Sequence, residues 1–241
     1  MSPIADSEIE RILVVTAHPD DVDFGSGGTV ASWTNKGISV SYCICTNGDQ
    51  GGNDASVPRE EMPRIRQAEQ QAAGEVLGVT DIKFLNYRDG WLAPTFELRK
   101  DIVRAIRQVR PDRMVIQSPD RNWDRLFASH PDHMAAGESA IQAIYPDSRN
   151  EFAWPELLSE EGLAPWTVKE VWIQAASTPN HWVDITDTFS RKIEALKRHV
   201  SQTAHMENLE EMVRHWGAIN GEAAGFAPGR LAEAYKVVAT A

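Results

Sequence analysis

The chain has 241 residues, of which 42% are apolar and 24% charged, with a formal net charge of −11. That suffices for one domain with a sizeable core and forces no second one. The acidic balance excludes broad electrostatic binding of nucleic acid, which needs Lys and Arg to displace counterions, and no apolar run reaches membrane-spanning length.

The start, "MSPIADSEIER", lacks the basic beginning and apolar stretch of a signal peptide, so a cytoplasmic protein is expected. Taken in chain order, β-rich apolar segments at 12–16, 38–45, 82–85, 113–117 and 168–175 read as strands. Between them, segments 27–36, 60–77, 96–109 and 131–144 read as helices. In the second of these Ile65, Ala68, Ala72 and Val76 form one stripe that stops at Gly78; in the third Ile102, Val103, Ile106 and Val109 do the same before Pro111. Strands that alternate with helices imply βαβ units and a mostly parallel sheet. Cys43 and Cys45 share one strand face and have no other cysteine to pair with, so they read as buried reduced thiols. The Pro- and aromatic-rich stretch 145–166 is long for a connection and reads as an excursion over a site or a partner chain, the candidate contact of a homo-oligomer. "FSRKIEALKRHVSQ" and "ENLEEMVRHWGAIN" read as a helical C-terminal extension.

Two polar clusters fall where ligand sites form in open α/β sheets, at the carboxyl ends of strands. The first, "AHPDDVDFGSGG", places His18, Asp20 and Asp21 directly after the first strand; the second, "SHPDHMAAGE", places His130, Asp132 and His133 before a helix. Each has a plain structural reading, as an acidic turn and as a helix N-terminus with Pro131 in its first position. Both clusters at corresponding strand ends favour a metal centre instead. A catalytic zinc takes three protein ligands and leaves one position open. His18, Asp21 and His133 fit that count, and Asp20 lies beside them as a base for water. Asp132 can orient an imidazole. The glycines of "GSGGT" match no phosphate-loop pattern and read as close-packing positions.

"AHPDDVDFGSGGTVA" and "HPDH" together resemble the LmbE/PIG-L family of zinc-dependent N-deacetylases, with weaker support from "IRQAEQQAAGEVLGV", "RPDRMVIQSP" and "VDIT…HVSQ". The resemblance covers nearly the whole chain, 1–241, as a single domain. With the element order it implies an α/β, Rossmann-like three-layer domain. It implies Zn2+ held by His18, Asp21 and His133, Asp20 as general base, and His130, held by Asp132, as the group that polarises the amide or acts as acid. The implied activity is removal of an N-acyl group from a small molecule, most often an amino sugar or related glycoside.

Arg66 matches an arginine near the active-site mouth, with an exposed pair to Glu69 as its competing reading. Arg88 and Asp89 in "NYRDGWLAP" are candidate substrate contacts, and Trp91, Trp123, Trp154, Trp166 and Trp182 are candidates to stack on a substrate ring or to seal the core. His181 has cleft-lining and edge-strand readings, and His199 has site-reaching and solvated-helix readings. Two departures from the family pattern stand out. An Asp, Asp23, follows the first motif where relatives carry Glu, and Phe127-Ala128-Ser129 precede His130 without the tyrosine of some members. The rival functions are a metal-dependent phosphoesterase, for which two ions per chain would speak, and a non-catalytic carbohydrate- or nucleotide-binding module.

Overall fold

The computed structural model describes residues 3–240. The chain runs β1 (Arg11–Thr16), α1 (Asp21–Asn35), β2 (Ser39–Thr46), α2 (Met62–Leu77), β3 (Asp81–Tyr87), α3 (Phe96–Val109), β4 (Arg113–Gln117), α4 (Pro131–Ile144), α5 (Pro155–Ser159) and β5 (Glu170–Gln174). It then adds β6 (His181–Asp184), α6 (Phe189–Arg198), α7 (Val200–Thr203), α8 (Leu209–Ala223) and β7 (Ala232–Ala239). One sheet has the order β3-β2-β1-β4-β5-β7-β6. Strands β1 to β5 pair in parallel, and β7 lies antiparallel between β5 and β6.

Alternate residues of β1 feed opposite layers, as a strand period of two requires. Leu13 and Val15 pack with Ile102, Val103, Ala136 and Ala140 of α3 and α4. Ile12 and Val14 pack with Val30, Trp33, Ala73 and Leu77 of α1 and α2. The central strands are therefore apolar on both faces, which is what a parallel sheet covered by helices demands.

Three expectations need correction. The segment after β5 is not only helical. It returns two strands to the sheet, and Glu233 on β7 is buried there because Lys192 of α6 pairs with it. The 145–166 excursion does not cover the carboxyl ends of the strands. It packs along α3, where Arg107 donates to the carbonyls of Ser148, Asp147, Asn150 and Ala153, and Trp166 caps Pro111. Helix α1 also begins six residues before its expected start, so its glycines lie inside the helix. A Cβ at Gly28 would sit 2.7 Å from Ile185, so close approach to the segment after β6 excludes a side chain there.

The chain leaves β1 toward β2 and β3 on one side, and later builds β4 and β5 on the other. The point where strand order reverses lies between β1 and β4, the usual place for a ligand crevice.

Candidate metal centre

Both sequence clusters meet at that crevice. The Ala17 N–H donates to Gln117 Oε1 at 2.8 Å, tying the end of β1 to the end of β4. The chain then turns so sharply that Asp20, the residue capping α1, adopts φ 98°, a left-handed conformation unfavourable for a non-glycine residue. The turn folds Asp21 back so that its Oδ2 accepts from the His18 N–H at 2.6 Å. From the other side, α4 opens with Pro131 in its first turn and presents His133.

Three side chains converge. His133 Nε2 lies 3.0 Å from Asp21 Oδ1 and 3.3 Å from His18 Nδ1, and His18 Nδ1 lies 3.3 Å from Asp21 Oδ2. A tetrahedral zinc, with bonds of about 2.0–2.2 Å to nitrogen and oxygen, spaces its ligand atoms about 3.3–3.5 Å apart. The donor set and its spacing fit such an ion. His18, His130 and His133 also bring ring nitrogens within 4.8 Å of one another, but the His130 Nδ1 is already engaged, accepting from the Asp132 N–H at 3.2 Å.

The environment fixes which nitrogen of His18 faces the centre. Its Nε2 lies 3.1 Å from both Asp89 Oδ1 and Asp132 Oδ2, so a proton there leaves Nδ1 as the acceptor. Asp132 is itself fixed by the Gly90 N–H at 2.7 Å and the Leu92 N–H at 3.1 Å. Burial alone would lower the His18 pKa. The Asp21 charge and the hydrogen bonds to Asp132, Asp21 and Asp89 outweigh it and hold it well above the usual histidine value. Asp21 moves the opposite way: burial pushes it up, but His133 and His18 hold it well below the usual carboxylate range. Burial, together with the neighbouring charges of His18 and His133, holds His130 below the ordinary histidine value. Asp20 is raised, first by burial and then by Asp21, against the lowering pull of Arg66 and His199.

Several assigned roles change. The Asp132 carboxylate holds His18, not His130; only its backbone N–H reaches His130, because the start of α4 turns the side chain toward β1 and the 90–92 loop. Asp89 and Arg66 do not face outward as substrate contacts. Asp89 is buried under His18, and Arg66, 4% exposed, donates to Pro19 O at 2.6 Å and Gly48 O at 3.1 Å and pairs with Asp20 and Asp89. The alternative pairing of Arg66 with Glu69 fails too, since Glu69 accepts from Ser201 instead. Arg88 is exposed, its guanidinium stacked 4.5 Å over Trp91, and it alone of the three candidate substrate contacts keeps an outward position. His181 packs edge-on against Trp172, whose indole bonds Glu170 at the amino end of β5, so it does not line the crevice. Asp23, left without a role, and His199, given both site-reaching and solvated-helix readings, are fully buried and joined at 2.8 Å, so the solvated reading fails. Gln70 was not foreseen: it joins Asp20 and Asp23. Its only signal was its place one turn after Arg66 on the same helix face. Cys43 and Cys45 are buried free thiols, as expected.

A doubly wound sheet whose switch point gathers imidazoles and carboxylates around one point has the architecture of a hydrolase site that could hold a metal ion. The chain belongs to the PIG-L family: the model of that family, described as GlcNAc-PI de-N-acetylase, matches residues 13–144, more than half the chain and including both motifs. Diacetylchitobiose deacetylase of Thermococcus kodakarensis is 34% identical over 196 residues, covering 81% of this chain and 71% of that protein. A probable N-acetyl-alpha-D-glucosaminyl L-malate deacetylase 2 of Bacillus subtilis is 30% identical over 212 residues, covering 86% and 90%. Among solved structures, the N,N'-diacetylchitobiose deacetylase from Pyrococcus horikoshii superposes with a TM-score of 0.88 at 31% identity, covering 96% of this chain and 85% of that one.

Proposed function

We propose that this chain is a zinc-dependent N-deacetylase that hydrolyses the acetamide of a small amino sugar or glycoside. The observation that carries the reading is the convergence of His18 Nδ1, Asp21 and His133 Nε2 at 3.0–3.3 Å, with His18 locked by two carboxylates. These three residues would hold the ion. When bound, it supplies Lewis acidity, polarising an acyl carbonyl and acidifying a water at the open position.

The chain's own groups do the proton work. Asp20, its carboxylate made more basic by burial, accepts a proton from the attacking water. His130 accepts the Asp132 N–H at Nδ1, so its proton sits on Nε2, the nitrogen left free to donate to the developing oxyanion. It does this as a neutral imidazole, which its lowered pKa favours. The carbon–nitrogen bond then breaks, and the proton held on Asp20 passes to the leaving nitrogen. Water has become the hydroxyl of acetic acid, and the amine is free.

The grouping of His18 with Asp89 and Asp132 would be the second ion site of a phosphoesterase. Those carboxylates are instead taken up by the His18 N–H and by the backbone of Gly90, Leu92 and Gln50, so one ion per chain is expected. The test is acetate release by the zinc-loaded protein from a panel of N-acetylated amino sugars and glycosides, N,N'-diacetylchitobiose included. Equal amounts of acetate and free amine support the reading. Silence across the panel with one ion bound, or two bound ions with phosphate release from phosphoesters, overturns it.

A further inference from the structure

The most strained residue of the crevice is also the one assigned to move a proton, and its backbone is gripped from behind. The two polar atoms of the Pro19–Asp20 peptide unit are held by residues four apart on α2. Arg66 Nη2 donates to Pro19 O at 2.6 Å, and the Asp20 N–H donates to Gln70 Oε1 at 2.8 Å. Positions i and i+4 share a helix face, so one helix supplies both jaws. Gln70 can play its part only with its carbonyl toward Asp20, and something must prevent the amide from flipping. Asp23 does so: its Oδ2, an acceptor only, takes the Gln70 Nε2–H at 2.9 Å. The same oxygen takes the His199 Nε2–H at 2.8 Å. Gln70, Asp23 and His199 are each 0% exposed, so none of these groups faces bulk solvent. His199 is brought there by the junction of α6 and α7, which is itself tied to α2 through Ser201 and Glu69.

We infer that His199, Asp23 and Gln70 form a positioning relay: His199 anchors Asp23, Asp23 sets the sense of the Gln70 amide, and Gln70 with Arg66 holds Asp20 in the left-handed conformation that aims its carboxylate into the crevice. None of the three is a catalytic residue; each acts through Asp20. The inference rests on Asp20 being the base. It gives Asp23 a reason to be acidic and to sit two residues beyond Asp21, and it gives the C-terminal extension a part in the chemistry.

The test compares Gln70→Met, His199→Leu and His199→Gln with the wild-type zinc-loaded protein, alone and in the Asp20→Asn background. Displacing a catalytic group by about 1 Å can cost ~10²-fold in rate. Gln70→Met and His199→Leu should therefore lower kcat by roughly ten- to a hundredfold, with KM and ion content unchanged. His199→Gln keeps a donor to Asp23 and should restore kcat to within about threefold of wild type. The Asp20 amide should exchange with deuterium faster in Gln70→Met, a readout that needs no turnover. In the Asp20→Asn background the relay substitutions should add no further loss, because residues acting as one unit are not additive. Wild-type kcat in Gln70→Met overturns the relay and leaves the base assignment intact, as do losses that multiply onto Asp20→Asn. Wild-type turnover by Asp20→Asn itself overturns the base assignment instead. Should His199→Leu fail to fold, Gln70→Met and its exchange rate decide the matter alone.

Discussion

The two ends of the sheet hold buried charge in opposite states of completion. At the amino ends, Arg113 of β4 has an acceptor for each nitrogen: Glu170 at 2.6 Å, Asp6 at 2.7 Å and the Ile4 carbonyl at 2.7 Å, with Trp172 beneath the guanidinium at 4.2 Å. Glu170 in turn accepts from the Ile4 N–H and the Trp172 indole. That network closes on itself. At the carboxyl ends the partners are also abundant, but they orient a few atoms toward one another: His18 Nδ1, His133 Nε2 and the Asp21 carboxylate. A saturated network stabilises the fold, whereas one that gathers lone pairs at a point is arranged for a ligand. Both ends bury charge, and it is the direction of the lone pairs that separates them.

The comparison breaks if the two ends respond alike to substitution. The largest effect is expected from His133→Ala, which should abolish stoichiometric metal binding and lower turnover more than ~10³-fold. Its metal-free form should unfold within about 1 kcal/mol of the metal-free wild type. Arg113→Leu should do the reverse. It strands Glu170, at 3% exposure, and should cost about 3–5 kcal/mol of stability in chemical denaturation while leaving kcat per folded molecule within twofold. A His133 variant that unfolds, or an Arg113 variant that is stable but inactive, would contradict the division. Smaller in effect, Asp132→Asn should weaken metal binding by about 10–100-fold, because the His18 ring loses a carboxylate that fixes it.

The pH dependence follows from the same contacts. In the metal-free protein, Asp21, Asp132 and Asp89 hold the His18 pKa above its unfolded value. The stability this gives is fully present below the ordinary histidine pKa and is lost as pH rises through the folded one. A metal ion needs the opposite state, a free Nδ1. Metal affinity measured by competition with a chelator should therefore increase by up to about tenfold per pH unit while His18 loses its proton, then level off. Affinity that is flat across this range would place His18 outside the ligand set. The smallest effect is expected from Arg88→Ala at the exposed rim, a change in KM of a few-fold with kcat held.

Much of this was legible in the residues. The apolar stripe of α3 and the Pro-started α4 announced themselves through helical period and caps, and β1 and β4 through short apolar, β-rich runs. Helix α2 was legible as a helix, but the face it buries is Met62, Arg66, Gln70, Ala73 and Leu77, while Ala68 of the expected stripe is exposed. The convergence of His18, Asp21 and His133 was legible because these residues are concentrated in two short motifs. What sequence could not convey was the direction of side chains. Arg66 and Asp89 looked like substrate contacts because charge in a loop or on a helix face is usually solvated; here each turns inward, since the other and Asp20 or His18 wait there. Asp23 had no visible partner because His199 lies 176 positions away. Strand β7 escaped notice because Glu233 and Lys236 break its apolar pattern, and the Lys192 that makes Glu233 tolerable in the interior comes from a different helix.

The central claim is that adjacent aspartates divide the work, Asp21 holding the metal and Asp20 moving the proton. Its most direct test is Asp20→Asn, assayed for bound zinc and for acetate release in the same preparation. The account predicts one ion per chain, as in the wild type, with turnover lowered by about 10²–10⁴-fold. Loss of the ion would make Asp20 a ligand, and an unchanged rate with the ion in place would mean that another group takes the proton.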